Sequence, residues 1–194
     1  MPTNKKISAI DIEKLWYFPI TKVTADLTGS ALYTLLQDSD TKEVENIHQD
    51  TWSIEESDPS QDFYRNQLTG AVYREGAKTM GDLTFNWTIG RYDYETKKDF
   101  LGGTVIYNGS GASQTAVGWK RDRGITVVKL GLIARTEDKQ YCVLPCANIS
   151  TREANTDGAT GLAVIGTMLE PENTAVAPEY WFDSSEVVAP SGTT

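Results

Sequence analysis

The chain has one histidine, His48, and two cysteines, Cys142 and Cys146. Any Ser/His/Asp or Cys/His arrangement would have to be built on His48, because such sites need an imidazole to take the nucleophile's proton. His48 sits in Asn-Ile-His-Gln-Asp50, and no Gly-x-Ser-x-Gly setting for a nucleophile occurs anywhere. It reads as a polar surface residue. Zinc needs about four Cys or His ligands at close spacing, and these three are badly spaced for it. Asp38-Ser-Asp40-Thr-Lys42 begins like a calcium loop, but Lys42 stands at a ligand position and the glycine that makes the turn is missing. Gly109-Ser-Gly111 lies in a Gly-rich stretch from Gly102 to Gly118, yet no Gly-Lys-Ser/Thr follows to cradle phosphate, and the stretch reads as a flexible loop. Glu55-Glu56 pairs two carboxylates, as acid–base catalysis does, but an acidic loop supplies such pairs without catalytic design. The expectation is a chain without catalytic residues, metal or cofactor.

Positioning any site falls to 194 residues with 39% hydrophobic and 10% aromatic side chains. That is enough to bury a core, and five Trp, nine Tyr and five Phe exclude disorder throughout. No run approaches the ~18 apolar residues of a membrane helix. Lys5 and Lys6 imitate the start of an export signal, but Asp11, Glu13 and Lys14 interrupt the apolar stretch that should follow. A chain made and kept in a cytosol is expected, which leaves the sequons at Asn86, Asn108 and Asn148 without weight. Cys142 and Cys146, four apart in a strand, would have Cα atoms roughly 13 Å apart, beyond the ~7 Å a disulfide allows. Both read as buried free thiols, although Pro145 could bend the chain between them.

Sixteen Gly, 23 Thr and short apolar runs punctuated by turn residues predict a mainly β domain. The clearest strand is Asp82–Arg91, in which Leu83, Phe85, Trp87 and Ile89 alternate with Asp82, Thr84, Asn86 and Thr88. Thr51–Glu55 alternates too, with Trp52 and Ile54 on one side. Gly124–Arg135 carries Val128, Leu130, Leu132 and Ala134 on one face, and Ile125 and Val127 fall out of phase, predicting a bulge near Val127–Val128. Thr136–Lys139 is a tight turn returning along Gln140–Leu144, and Gly161–Leu169 is a further buried strand. Ile10–Lys22 and Ser30–Leu36 read as two N-terminal strands. One helix is expected over 93–101, capped by Asp93, stopped by Gly102-Gly103, with Tyr94 and Phe100 or Leu101 toward the core. The fold class is therefore a β-sandwich or barrel with one short flanking helix and long irregular loops.

Residues 38–80 hold only one convincing strand, yet they contain Trp52, Phe63, Tyr64 and Tyr73. Residues 171–194 form a Pro- and Ala-rich arm with Tyr180-Trp181-Phe182 in its middle. Long irregular stretches carrying aromatics are expected to be ordered against a partner. Charge divides likewise. Residues 38–62 carry nine acids against Lys42, whereas 119–139 carry six bases against three acids. Opposed patches on one chain suit head-to-tail association of copies. The candidate surface comprises Trp52, Ile54, Glu55, Glu56, Asp58, Phe63 and Tyr64, with Lys120, Arg121 and Arg123, and with Tyr180, Trp181 and Phe182. A net charge of −9 repels phosphate and argues against nucleic-acid capture.

The element order resembles that of the major tail tube proteins of long-tailed bacteriophages, kin in fold to the type VI secretion tube protein. The likeness spans about residues 10–170 and is carried by the strand-to-helix junction GDLTFNWTIGRYDYETKKDFLGG, the long hairpin over 124–144 and the closing strand Gly161–Leu169. It implies one β domain over 1–170, an arm over 171–194, and assembly into stacked, six-fold rings forming the tube of a virion tail. It further implies that segment 38–80 reaches the neighbouring ring, that tape measure and tail terminator proteins are partners, and that DNA passes through without specific binding. The stretch Gly102–Gly118 is longer and more Gly-rich than the simplest members of that family need. From another class, a carbohydrate-binding module would use Trp52, Trp119 or Trp181 as stacking platforms.

Overall fold

In the computed structural model, which describes residues 6–190, twelve strands and two α-helices follow one another among the described residues. They are β1 (Lys14–Pro19), α1 (Gly29–Leu36), β2 (Lys42–Glu43), β3 (Ser53–Glu56), β4 (Ser60–Arg65), β5 (Val72–Thr79), β6 (Leu83–Ile89), α2 (Tyr94–Leu101), β7 (Thr104–Asn108), β8 (Thr115–Lys120), β9 (Val128–Arg135), β10 (Gln140–Thr156), β11 (Ala159–Met168) and β12 (Tyr180–Asp183). The fold is mainly β and sandwich-like, with a short flanking helix over the expected residues. Residues 1–5 of the expected domain and 191–194 of the expected arm lie outside the described residues.

Alternation builds the large sheet. Along β6 the apolar positions Leu83, Phe85, Trp87 and Ile89 are buried and the Thr and Asn positions between them half-buried. The sheet runs β2-β1-β9-β10-β11-β6-β3, and β12 also pairs with β10. The 17-residue β10 makes this possible. Beside β9, its first part meets β12 (Cys142 opposite Trp181) and its second part meets β11 (Ile149 opposite Gly166). The register against β9 slips between Leu144 and Ala147, so Pro145 and Cys146 form a bulge that bends the strand. The predicted bulge near Val127–Val128 is thereby corrected: β9 begins at Val128, and the extra residue lies on its partner. Proline, which lacks an N–H to give the ladder, is tolerated at such a site. Both cysteines are free and buried.

The bent sheet carries a core on each face. The inner one gathers Leu15, Phe85, Trp87, Leu132, Leu144, Leu162 and Val164, and α2 closes it with Phe100. The ring of Phe100 lies 4.8 Å from that of Tyr17 and 5.9 Å from that of Trp87. Each such side chain contributes about 1.5–3 kcal/mol on burial. The Asp93 carboxylate caps α2 by accepting from Thr96 N–H at 2.7 Å, whereas Tyr94, expected toward the core, is exposed. The outer core gathers Phe18, Leu32, Leu35, Ile133, Tyr141 and Val143 beneath α1. Residues 30–36 are thus helical and not a strand. Thr28 accepts from Ala31 N–H at 3.2 Å as the N-cap, and Leu32 and Leu35 share one helical face. Of the expected strand 10–22, only β1 forms, followed by a 3₁₀ turn over Ile20–Lys22.

Two further corrections concern segments expected to be irregular. Residues 38–80 contain β2, β3 and a separate two-stranded sheet, β4–β5, and the Gly-rich stretch 102–118 forms most of another, β7–β8. Among the described residues, no helix is long and apolar enough to cross a membrane.

Candidate functional site

The two small sheets sit differently on the body. In β4–β5, every residue from Asp62 to Glu75 is exposed, including Phe63, Tyr64, Val72 and Tyr73. The tip is nevertheless well tied. Asn66 Oδ1 accepts from Leu68 N–H at 2.8 Å, Gly70 N–H donates to Asn66 O at 2.8 Å, and Leu68 at the apex is 94% exposed. Arg74 lies 3.9 Å above the ring of Tyr64. The root is latched to the body by Ser57 N–H to Asp82 O (3.1 Å) and Asp82 N–H to Ser57 Oγ (2.8 Å). An isolated two-stranded hairpin is marginal in water, and this one keeps Phe63, Tyr64, Val72 and Tyr73 in solvent as a group.

The hairpin β7–β8 is anchored. Val105 is buried, Trp119 Nε1–H donates to Gly102 O at 2.8 Å, and Lys97 lies 4.5 Å above the Trp119 ring. Lys120 ends β8 and Arg121 and Arg123 follow it, all three exposed. Arg121 reaches Glu153 at 3.7 Å, and Glu153 is bound more closely by Lys97 at 2.6 Å. The Lys97 hydrogen bond, with the positive fields of Lys97 and Arg121, holds the Glu153 carboxyl below its ordinary range. Beyond them, Ile125 is 98% exposed.

A groove of about 1120 Å³ opens between the two ends of the sheet. On one side lie β1 and β2, on the other β3, and Ile12, Ile47, Trp52 and Ile54 give it an apolar floor packed on the inner core. The segment before β1 forms a further wall, held by Asp138. That carboxylate accepts from the N–H groups of Ser8 and Ala9 (3.1 Å each) and of Ile10 (3.2 Å), and from Thr136 Oγ1 at 2.6 Å. These donors stabilise the ionised form and lower its pKa, Thr136 most. Of the acids around the groove, Glu43 is paired with Lys14 (3.0 Å), and Glu13 with Arg135 (3.1 Å) and Lys139 (2.7 Å). Among the described residues, no ion pair reaches Asp11, Glu45 or Asp50.

The sequence-predicted residues thus divide. Trp52, Ile54 and Trp181 come together on the groove, and Trp52 packs edge-on to Phe85 with ring centroids 5.3 Å apart. Glu55 and Glu56 are exposed on β3, and Asp58 is exposed at the hairpin root. Phe63 and Tyr64 lie on the exposed arm. Lys120, Arg121 and Arg123 do not line the groove. The C-terminal aromatics do not form a free arm: Tyr180 and Phe182 stack on each other at 6.0 Å and pack on the outer core, and Tyr180 OH donates to Asp26 at 2.8 Å. Only Trp181, on the opposite face of β12, looks outward, its N–H on Glu179. Sequence reasoning missed the arm's exposed Leu68 and Val72, the Asp138 clasp and the groove, and it noted Tyr73 in the segment without placing it on the candidate surface. The arm had left one readable sign, the Asn66–Gly70 turn between aromatic segments.

The candidate chemistry-bearing groups are placed as follows. His48 Nε2 lies 3.4 Å from Asp157, which is solvent-exposed. Asp38 and Asp40 close on the Lys22 ammonium at 2.9 and 2.7 Å. Burial, reinforced by the Glu179 carboxylate, pushes the Cys142 thiol up, which makes it a poor nucleophile. Among the described residues, no group of three or more His, Cys, Asp or Glu side chains is arranged to hold a metal. Comparison with known families and curated proteins returned no match to this chain.

Proposed function

We propose that this protein is a structural, non-catalytic subunit that polymerises with copies of itself into stacked rings, six-fold as in tail tube proteins, making the tube of a phage tail. DNA passes through such a tube without being held, and tape measure and terminator proteins bound its length. The observation that supports this reading most is the β4–β5 arm: an ordered hairpin with its aromatics in solvent along its whole length. The missing contacts of such an element are supplied when subunits repeat. The −9 net charge suits a conduit for a polyanion, because like charge prevents adhesion to the wall.

The test is electron microscopy and size-exclusion chromatography of the purified full chain at high concentration, beside a variant whose residues 60–79 are replaced by a short Gly-Ser linker. Rings or tubes are expected from the parent and monomers from the variant. The variant should stay folded, because β4–β5 pairs with no strand of the large sheet. A parent that remains monomeric at every concentration, or a variant that still forms tubes, overturns the reading.

A further inference from the structure

Resting on that reading, we infer that the groove between β2 and β3 is the receptor for the β4–β5 arm of a second copy. Three observations on the two surfaces converge. The first is charge. Over residues 60–79 the arm carries Arg65, Arg74 and Lys78 against Asp62 and Glu75. Both acids lie toward the root, so the distal part, 63–74, holds only Arg65 and Arg74, and neither arginine has an ion-pair partner among the described residues. The groove offers Asp11, Glu45 and Asp50, equally without ion pairs. Unpaired opposite charges on two surfaces steer and register their encounter.

The second is chemistry of contact. The arm presents Tyr64, Leu68 and Tyr73 to water, and the groove floor is apolar, so docking removes both from solvent. The third is the backbone. β3 ends the sheet order, with β6 on one side and no strand on the other among the described residues, so its outer edge can take an added strand. The arm cannot serve its own groove. It is latched at Ser57 and Asp82 and extends roughly 25 Å at the strand rise, and it is exposed from Asp62 to Glu75. The contact is therefore between copies, with different surfaces on the two partners, and such contacts propagate into rings or filaments.

The decisive experiment mixes two single-cysteine additions made in separate full-length chains, Gln67→Cys at the tip and Gln49→Cys on the groove, under a short bis-maleimide cross-linker. The native thiols are buried. A cross-linked dimer from the mixture, with little from either chain alone, is expected. The double reversal Arg65→Glu/Arg74→Glu should lower the cross-linked fraction at least about tenfold, and mixing it with Glu45→Arg/Asp50→Arg chains should restore it. Rings or tubes that form without the cross-link, or that ignore both reversals, overturn the groove assignment and leave the polymer reading standing. A mixture giving neither polymer nor cross-link overturns both.

Discussion

The two small hairpins are made of similar material, yet one belongs to the body and the other does not. Both are antiparallel pairs outside the large sheet, both contain a register slip, and both carry aromatics. The difference lies in one face. β7–β8 turns Val105 inward and fixes Trp119 to Gly102 and Lys97, whereas Asp62–Glu75 of β4–β5 turns nothing inward. A hairpin with one anchored face completes its own fold. A hairpin with none leaves all of its side chains to water, and it is on this element that the proposed assembly rests.

The sharpest way to press this contrast is Phe100→Ala, which empties the ring that holds α2 over the inner core. It should cost about 3–5 kcal/mol in urea denaturation, and amide exchange should accelerate across β7–β8 but not across β4–β5. Equal acceleration in both would erase the distinction. Next come the glycines of the two hairpins. Gly103 has φ +88°, and a methyl group there would meet Lys120 O at 2.6 Å, whereas Gly70 has φ +72° in open space. Gly103→Ala is expected to cost about 3 kcal/mol and Gly70→Ala about 1; the reverse order in thermal melts would show that the first hairpin is the packed one.

Smaller still, Trp119→Ala should lose about 1–3 kcal/mol, while Tyr73→Ala should leave the monomer within about 0.5 kcal/mol and yet abolish assembly in sedimentation. A Tyr73→Ala chain that assembles normally breaks the comparison from the other side. The smallest effect is electrostatic. The Glu153 carboxyl has its pKa lowered by Lys97, so its stabilisation is present above the ordinary carboxylate value and is lost as pH falls through the lowered one. Between pH 6 and 3 that bridge should account for less than about 1 kcal/mol, because water screens it. Comparing Glu153→Gln with the parent at both pH values isolates it, and identical differences at both would exclude the bridge.

Much of the large sheet was legible because one buried face imposes a period. The buried positions of β6 alternate without a break, and Leu132 and Ala134 of β9 face the inner core as spacing predicts. The α2 ends were legible from Asp93 and Gly102. By contrast α1 was misread, since Leu32, Leu35 and Leu36 in eight residues fit a strand until Thr28 is recognised as a cap. The arm was illegible for a different reason: both of its faces meet water, so no alternation marks it, and its slips near Asp62 and between Tyr64 and Arg65 shift the phase. The groove joins residues from β1, β3 and β12, which only the folded sheet brings together; Trp52 and Ile54 were found, and their partners on β1 were not.

The latch at Ser57 and Asp82 and the tied turn at Asn66 have a kinetic meaning. A projecting element already holding its final shape surrenders little conformational freedom when captured. In the assembly proposed above, capture of such an arm would need no ordering step, so growth should follow concentration and ionic strength.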